Sequence, residues 1–235
     1  IAVAVQAGML VAGLRLGLCF GHPELLRGLG TVKDSYNLNR LTQAAGEAAL
    51  EHSGLDVSDI EHVDLYACFP SIVQMSSAAL GLDEGRPLTV TGGLGFAGAA
   101  ISNSVGHSIA AMVPLVRAGG AGLVHGNGGS ATKHSFAVYS PEPPRAFARI
   151  DCQDRVDLHE REPLDESFDG PVTVDAASVR FDREGPTDVL AAVRSEGGAR
   201  AWATSADPGI LDEAMRSGIS GRSGRVVAGT LLSAF

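Results

Sequence analysis

The chain is predicted to be an α/β protein in two parts, on three observations. Apolar runs alternate with segments of helical spacing between Val63 and Tyr139, which is the pattern of a layered mixed sheet covered by helices. Pro141-Glu142-Pro143-Pro144 then interrupts the chain as a hinge. Beyond it, from Arg145 to Phe235, short alternating runs are separated by Gly- and Pro-containing turns, as in a small β-rich or α+β domain.

The elements follow in order. Residues 36–53 form an amphipathic helix, with Leu38, Leu41, Ala44, Ala45, Ala48, Ala49 and His52 on one stripe and Gly54 as its stop. Asp56 or Ser58 caps a short turn. The apolar run Val63 to Phe69 is a strand that delivers Cys68 to the start of a helix, Ile72 to Leu82, with Pro70 suited to the first helical position. A helix N-terminus directly after Cys68 is expected to lower the thiol pKa. A strand Pro87 to Thr91, a Gly92-Gly93 turn, a helix starting near Ser104 to Ser108, a strand Gly122 to His125, a turn Gly126-Asn127-Gly128-Gly129 and a strand Lys133 to Tyr139 complete the first part. In the second part, strand-like runs cover Val172 to Phe181, Asp188 to Val193, Ala199 to Ser205 and Arg225 to Leu232. A helix Ile210 to Ser217 ends at Gly218, and Trp202 is read as a core residue.

Composition narrows the function classes. A hydrophobic share of 45% and a mean hydropathy of +0.13 over 235 residues suit a protein with a real core. The formal net charge of -9 argues against nucleic acid and against an anionic membrane surface, both of which call for clustered Lys and Arg. No apolar run reaches the roughly 20 residues that span a bilayer. Three cysteines, Cys19, Cys68 and Cys152, at irregular spacing support neither a disulfide framework nor a metal site, and favour the reducing cytoplasm. Asp151, Asp154, Asp157, His159, Glu160 and Glu162 are read as a solvated acidic face, so no metal site is expected. Opening inside an apolar run at Ile1 suggests a fragment.

Residues 1–45 contain Val11-Ala12-Gly13-Leu14-Arg15-Leu16-Gly17 and, further on, Gly21-His22-Pro23-Glu24-Leu25-Leu26. This segment resembles histidinol-phosphate aminotransferases, in which the matching arginine helps hold a pyridoxal phosphate; Arg15 takes that place. The Schiff-base lysine belongs near Ala7, where the chain has Gln6-Ala7-Gly8, so transamination is not available to it.

From Gly54 to Ser140 the chain resembles the C-terminal half of a thiolase-superfamily acetyl-CoA acetyltransferase, and most of all the thiolase-like proteins with an additional C-terminal domain. Tyr66-Ala67-Cys68-Phe69 matches the His-Asp-Cys-Phe motif of sterol-carrier-type thiolases, keeping the cysteine and phenylalanine; the resemblance assigns Cys68 an acid/base role. Gly92-Gly93 matches the family's glycine pair. Gly106-His107-Ser108 matches its Gly-His-Pro motif if the intervening loop is long, which makes His107 an oxyanion-hole donor; the ungapped alternative places Ala99 there. His125-Gly126-Asn127-Gly128-Gly129 resembles the family's last glycine-rich turn, against which an acyl group would lie. Cys68 and His107 are therefore the expected catalytic residues, and Gly92, Gly93, Asn127, Gly128 and Gly129 the expected substrate contacts. The implied domains are an aminotransferase-like fragment 1–45, a thiolase-like part 46–140 and an additional domain 145–235.

The resemblance implies thioester exchange or Claisen-type chemistry on acyl-CoA, in the setting of lipid metabolism, with the coenzyme A thioester as substrate and no permanently bound cofactor. The nucleophilic cysteine of that chemistry sits in the family's N-terminal half. Nothing in residues 1–63 resembles that half, and Cys19 lies in the aminotransferase-like piece. The chain is thus expected to be an incomplete acyltransferase, or else a non-catalytic module that binds CoA, an acyl group or a protein. It would associate through the missing half or as a homo-oligomer.

Overall fold

The computed structural model describes residues 2–8 and 38–39 (as backbone), 40–99, 103–128, 133–142, 147–158 and 163–234, which form two compact units. The first holds a five-stranded sheet in the order β2 (Ile60–Asp64), β3 (Ala121–Gly128), β4 (Lys133–Tyr139), β1 (Ala2–Gly8), β5 (Arg149–Asp151). Strands β2 and β3 run parallel, β3 and β4 form an antiparallel pair, and β1 lies antiparallel to β4 and parallel to β5. Helix α1 (Leu38–Ser53) packs one face of this sheet. Its Leu41, Ala45 and Ala49 are fully buried against Ile60, Val63, Leu123, Phe136 and Val138, together with Leu80 at the end of α2 (Pro70–Leu80). After a short helix α3 (Leu94–Ala97), α4 (Ser104–Ala118) lays Met112 and Val116 against Val124 on the other face. That explains the unbroken burial of residues 121–126, since a strand covered on both faces carries no polar alternation. Gly122 is where α4 comes closest: a Cβ there would lie 2.3 Å from the Met112 sulfur.

The structure differs from the sequence reading in several places. The strand before Cys68 ends at Asp64, because the next residues leave the ladder and Leu65 N–H donates to Leu88 O at 2.8 Å. Pro87 to Thr91 is not a strand; its backbone is held by that bond and by the Asp64 carboxyl group. Gly126 to Gly128 is not a turn but the end of β3, paired with Lys133 to Ser135, and Gly129 lies outside the described residues. Strand β1 and helix α1 belong to the same unit as the thiolase-like residues, although the aminotransferase-like segment runs to residue 45. The proline hinge does not end that unit, since β5 and α5 (Gln153–Asp157) still belong to it. Arg15 and Cys19 lie outside the described residues.

The second unit is a closed barrel of β6 (Gly170–Phe181), β7 (Pro186–Ser195), β8 (Arg200–Ser205), β9 (Ser223–Val227) and β10 (Thr230–Ala234), in the order β10-β8-β7-β6-β9. With β8 and β10 parallel and a helix, α6 (Pro208–Arg216), between β8 and β9, this is the OB-barrel architecture, which serves many unrelated functions. Val174, Val189, Ala191, Val193, Ala203, Val226 and Leu231 fill the interior. Asp207 caps α6 by accepting from Gly209 and Ile210 N–H, and Ile210 packs into the same core. Trp202, expected in the core, is half-buried on β8.

Candidate active site

Cys68 lies in the link between β2 and α2. Phe69 is extended (φ -139°, ψ 144°) and serves as the N-cap, with Pro70 opening the helix as the sequence suggests. The thiol is half-buried, and its sulfur lies 3.5 Å from Nδ2 of Asn127. Burial pushes its pKa up and outweighs the opposing hydrogen bonds from the Phe69 backbone and the Asn127 amide. The expected lowering by the helix N-terminus is therefore overruled, and at neutral pH the group is a thiol with a proton to give.

Asn127 reaches Cys68 from β3. Its Oδ1 is buried and has no hydrogen-bond partner, so the amide has acceptor capacity left for a donor on a ligand. The same side chain lines a cavity of about 180 Å³ with Val105, Gly126, Gly128, Lys133, His134 and Ser135. Asn127 and Gly128, both expected substrate contacts, are thus at the cavity, whereas Gly92 and Gly93 are not among its walls.

Those two glycines lie in a loop organised by Asp64, a residue the sequence reading did not single out. Asp64 is 3% exposed. Its Oδ2 accepts from Val90 N–H, Thr91 N–H and the Thr91 hydroxyl at 2.9 Å each, and its Oδ1 accepts from the Ser108 hydroxyl at 2.6 Å. One carboxyl group therefore fastens both the Gly92-Gly93 loop and the start of α4 to the end of β2. Gly92 and Gly93 take φ of +80° and +79°. A Cβ on Gly93 would sit 3.1 Å from Ala67 Cβ, which places this loop against the Cys68 link. The signal was an acidic residue set inside the apolar run at the end of the strand, where burial demands partners.

His107 lies in the first turn of α4, as its motif suggested, with its N–H bonded to Asn103 O. Its imidazole makes no hydrogen bond to Cys68 or Asn127, so the structure does not join the two expected catalytic residues. Among the described residues no cluster of His, Cys, Asp or Glu is placed to hold a metal, and no helix is long and apolar enough to cross a membrane.

Residues 151–229 match the domain family described as the thiolase-like protein type 1 additional C-terminal domain. The crystal structure of a monomeric SCP2-thiolase-like protein type 1 from Mycobacterium smegmatis superposes with a TM-score of 0.75 at 30% identity, over 83% of this chain and 46% of that one. The fold is thiolase-like, with the additional C-terminal domain. The chain thus spans about half the length of its thiolase-like counterpart. Similarity to histidinol-phosphate aminotransferases is short: 55% identity over 40 residues with that of Geobacter sp. (strain M21), covering 17% of this chain and 11% of the enzyme. The match to the Acetobacter pasteurianus enzyme is 43% over 56 residues, 23% of this chain and 16% of the enzyme.

Proposed function

We propose that this chain supplies the proton-transfer side of an acyl-thioester site in a thiolase-like protein, with Cys68 as the acid/base group and a coenzyme A thioester as substrate. The observation that carries this reading is the thiol with a raised pKa, held by an amide whose free oxygen is buried and which lines a cavity. A protonated thiol beside an acceptor-rich amide is suited to deliver a proton to a carbanion or enolate next to a thioester carbonyl, and to remove one in the reverse direction. Acyl transfer would also need a nucleophilic cysteine, which the sequence does not offer in its thiolase-like part, so turnover by this chain alone is not expected. His107 serves as an oxyanion donor only if ligand binding brings it to the site.

The second reading is a non-catalytic module that binds an acyl-CoA without converting it. It is favoured by Tyr66 and Ala67 in place of the family's histidine and aspartate, and by the unlinked His107. In either case Ala110, Pro114 and Leu115 leave an apolar strip of α4 exposed, which the remaining half of a thiolase-like protein or a second copy would cover. Monomeric behaviour of the solved relative favours the first of these occupants. A cytoplasmic setting suits the free thiol of Cys68.

Calorimetry of coenzyme A binding to this chain and to Cys68→Ala, followed by an acyl-transfer assay with acetyl-CoA, tests the reading. Binding without turnover supports it. Turnover would point to a nucleophile elsewhere in the chain, and absence of binding would overturn both readings.

A further inference from the structure

Between Asn127 and α1 lies a pair of buried imidazoles that the acid/base chemistry leaves unused. His125 is fully buried and His134 is 1% exposed. Nε2 of His125 stands 3.0 Å from Nδ1 of His134, with the rings nearly parallel at 9°. His125 also stacks on Phe136, centroid to centroid at 4.4 Å.

The backbone dictates where the protons are. Tyr66 N–H donates to Nδ1 of His125 at 3.3 Å, so that nitrogen is bare. The neutral ring then carries its proton on Nε2 and donates it to Nδ1 of His134, which the Thr42 hydroxyl also faces at 3.3 Å. One run of hydrogen bonds thus ties α1, β4 and β3 to the link that carries Cys68. Adding a proton to His125 would set donor against donor at Tyr66. Among the described residues, the groups that face the pair include Thr42 from α1, Tyr66 from the link, Ser76 from α2 and Phe136 from β4. None of them is a carboxylate that would welcome a cation, and β1, whose Ala7 pairs with His134, contains no ionisable residue. Burial, and next the proximity of His134, hold the His125 pKa well below the ordinary imidazole value.

His125 reaches Cys68 by two routes. Tyr66, which it holds, is two residues ahead of the cysteine, and Asn127, which holds the sulfur, is two residues further along the same face of β3. We propose that His125, braced by His134, is a positioning residue for Cys68: its neutral imidazole fixes the Tyr66–Cys68 link against the Asn127 amide, and its protonation lets the thiol go. The proposal rests on Cys68 being the working group of the site.

The test is the rate of N-ethylmaleimide addition to Cys68 in the full chain, read by mass spectrometry with buried Cys152 as the internal reference. His125→Phe keeps the stack on Phe136 but removes the acceptor; at pH 7 it should raise the Cys68-to-Cys152 ratio about fivefold, the change that corresponds to one lost hydrogen bond. His125→Asn, whose side-chain oxygen falls where Nδ1 lies, should return the ratio to within about twofold of the parent chain. A simple packing defect would move both thiols and would not distinguish the two variants. An unchanged ratio in His125→Phe, or an equal change in both variants, overturns the proposal. Should His125→Phe fail to fold, imidazole ¹⁵N shifts of the parent chain decide: a bare Nδ1 on a neutral His125 at pH 7 is expected, and the other tautomer or a cation overturns it. None of these readouts involves coenzyme A, so a chain that passes them without binding the thioester loses the functional reading alone.

Discussion

Asp64→Ala is the most informative single perturbation of the first unit. The carboxyl group is 3% exposed and accepts four hydrogen bonds. Two of the donors can find relief: the Ser108 hydroxyl already lies 3.1 Å from Ser104 O, and the Thr91 hydroxyl can rotate. The Val90 and Thr91 N–H groups cannot turn away. Two stranded backbone donors, at about 1–3 kcal/mol apiece, give an expected loss of about 4 kcal/mol. Asp64→Asn should behave differently. Its oxygen in the Oδ2 position keeps three of the bonds, and its amide nitrogen can donate to Ser108 once that hydroxyl turns to Ser104 O, so the cost should be about 1 kcal/mol. Unfolding in urea, followed by pulsed alkylation of Cys152 in the core of the same unit, measures both. If the alanine variant came within about 1 kcal/mol of the asparagine variant, the claim that this carboxyl group holds the Gly92-Gly93 loop would fail.

Other expectations follow from single contacts. Gly122→Ala forces a methyl group into Met112 and should cost about 1–3 kcal/mol; with Met112→Ala added, the total should fall short of the two separate losses, as a urea double-mutant cycle would reveal. Because the His125 pKa is depressed in the folded chain, its contribution to stability is complete above the unfolded value near 6.5 and is lost as pH falls from there toward the folded value. Urea midpoints should therefore drop on acidification in the parent chain, and drop less in His125→Phe. Glu51→Gln removes an ion pair with Arg155 whose side chains are 59% and 45% exposed, and a thermal melt should register less than about 1 kcal/mol. Cys68 should need a pH above the ordinary thiol range, near 8.5, for half-maximal maleimide reactivity, since its pKa is raised.

The sequence was most readable where one rule acted alone. The alanine stripe of α1 became a buried face, Lys133 to Tyr139 became β4 without a change of limits, and the alternating runs after Gly170 became barrel strands. Periodicity carries such elements because burial on one face is all that it has to encode. It failed where a side chain overrode the ladder. Asp64 draws residues 88–91 into its own hydrogen bonds, which no local pattern announces, and β3 continues through Gly126 to Gly128 because β4 pairs with it there, despite a composition typical of turns. The motifs located Cys68 and Asn127, but not the histidines behind them: His125 was read as the edge of a glycine turn and His134 was not singled out. Their meeting depends on strand register, a long-range fact. For the same reason spacing gave no way to foresee that burial would win over the helix terminus at Cys68.

The place of β1 in the sheet also sets an order of events during synthesis. Its two partners, β4 and β5, are the last strands of the first unit to be made, so β1 must wait for nearly all of that unit. Contacts this distant along the chain are slow to form. Until β5 docks, the outer flank of β1 offers a row of free N–H and C=O groups to any extended segment nearby. A nascent chain stalled before residue 149 should therefore be the species most prone to aggregate or to recruit a chaperone, and pulse-labelled ribosome complexes of graded length would locate that window.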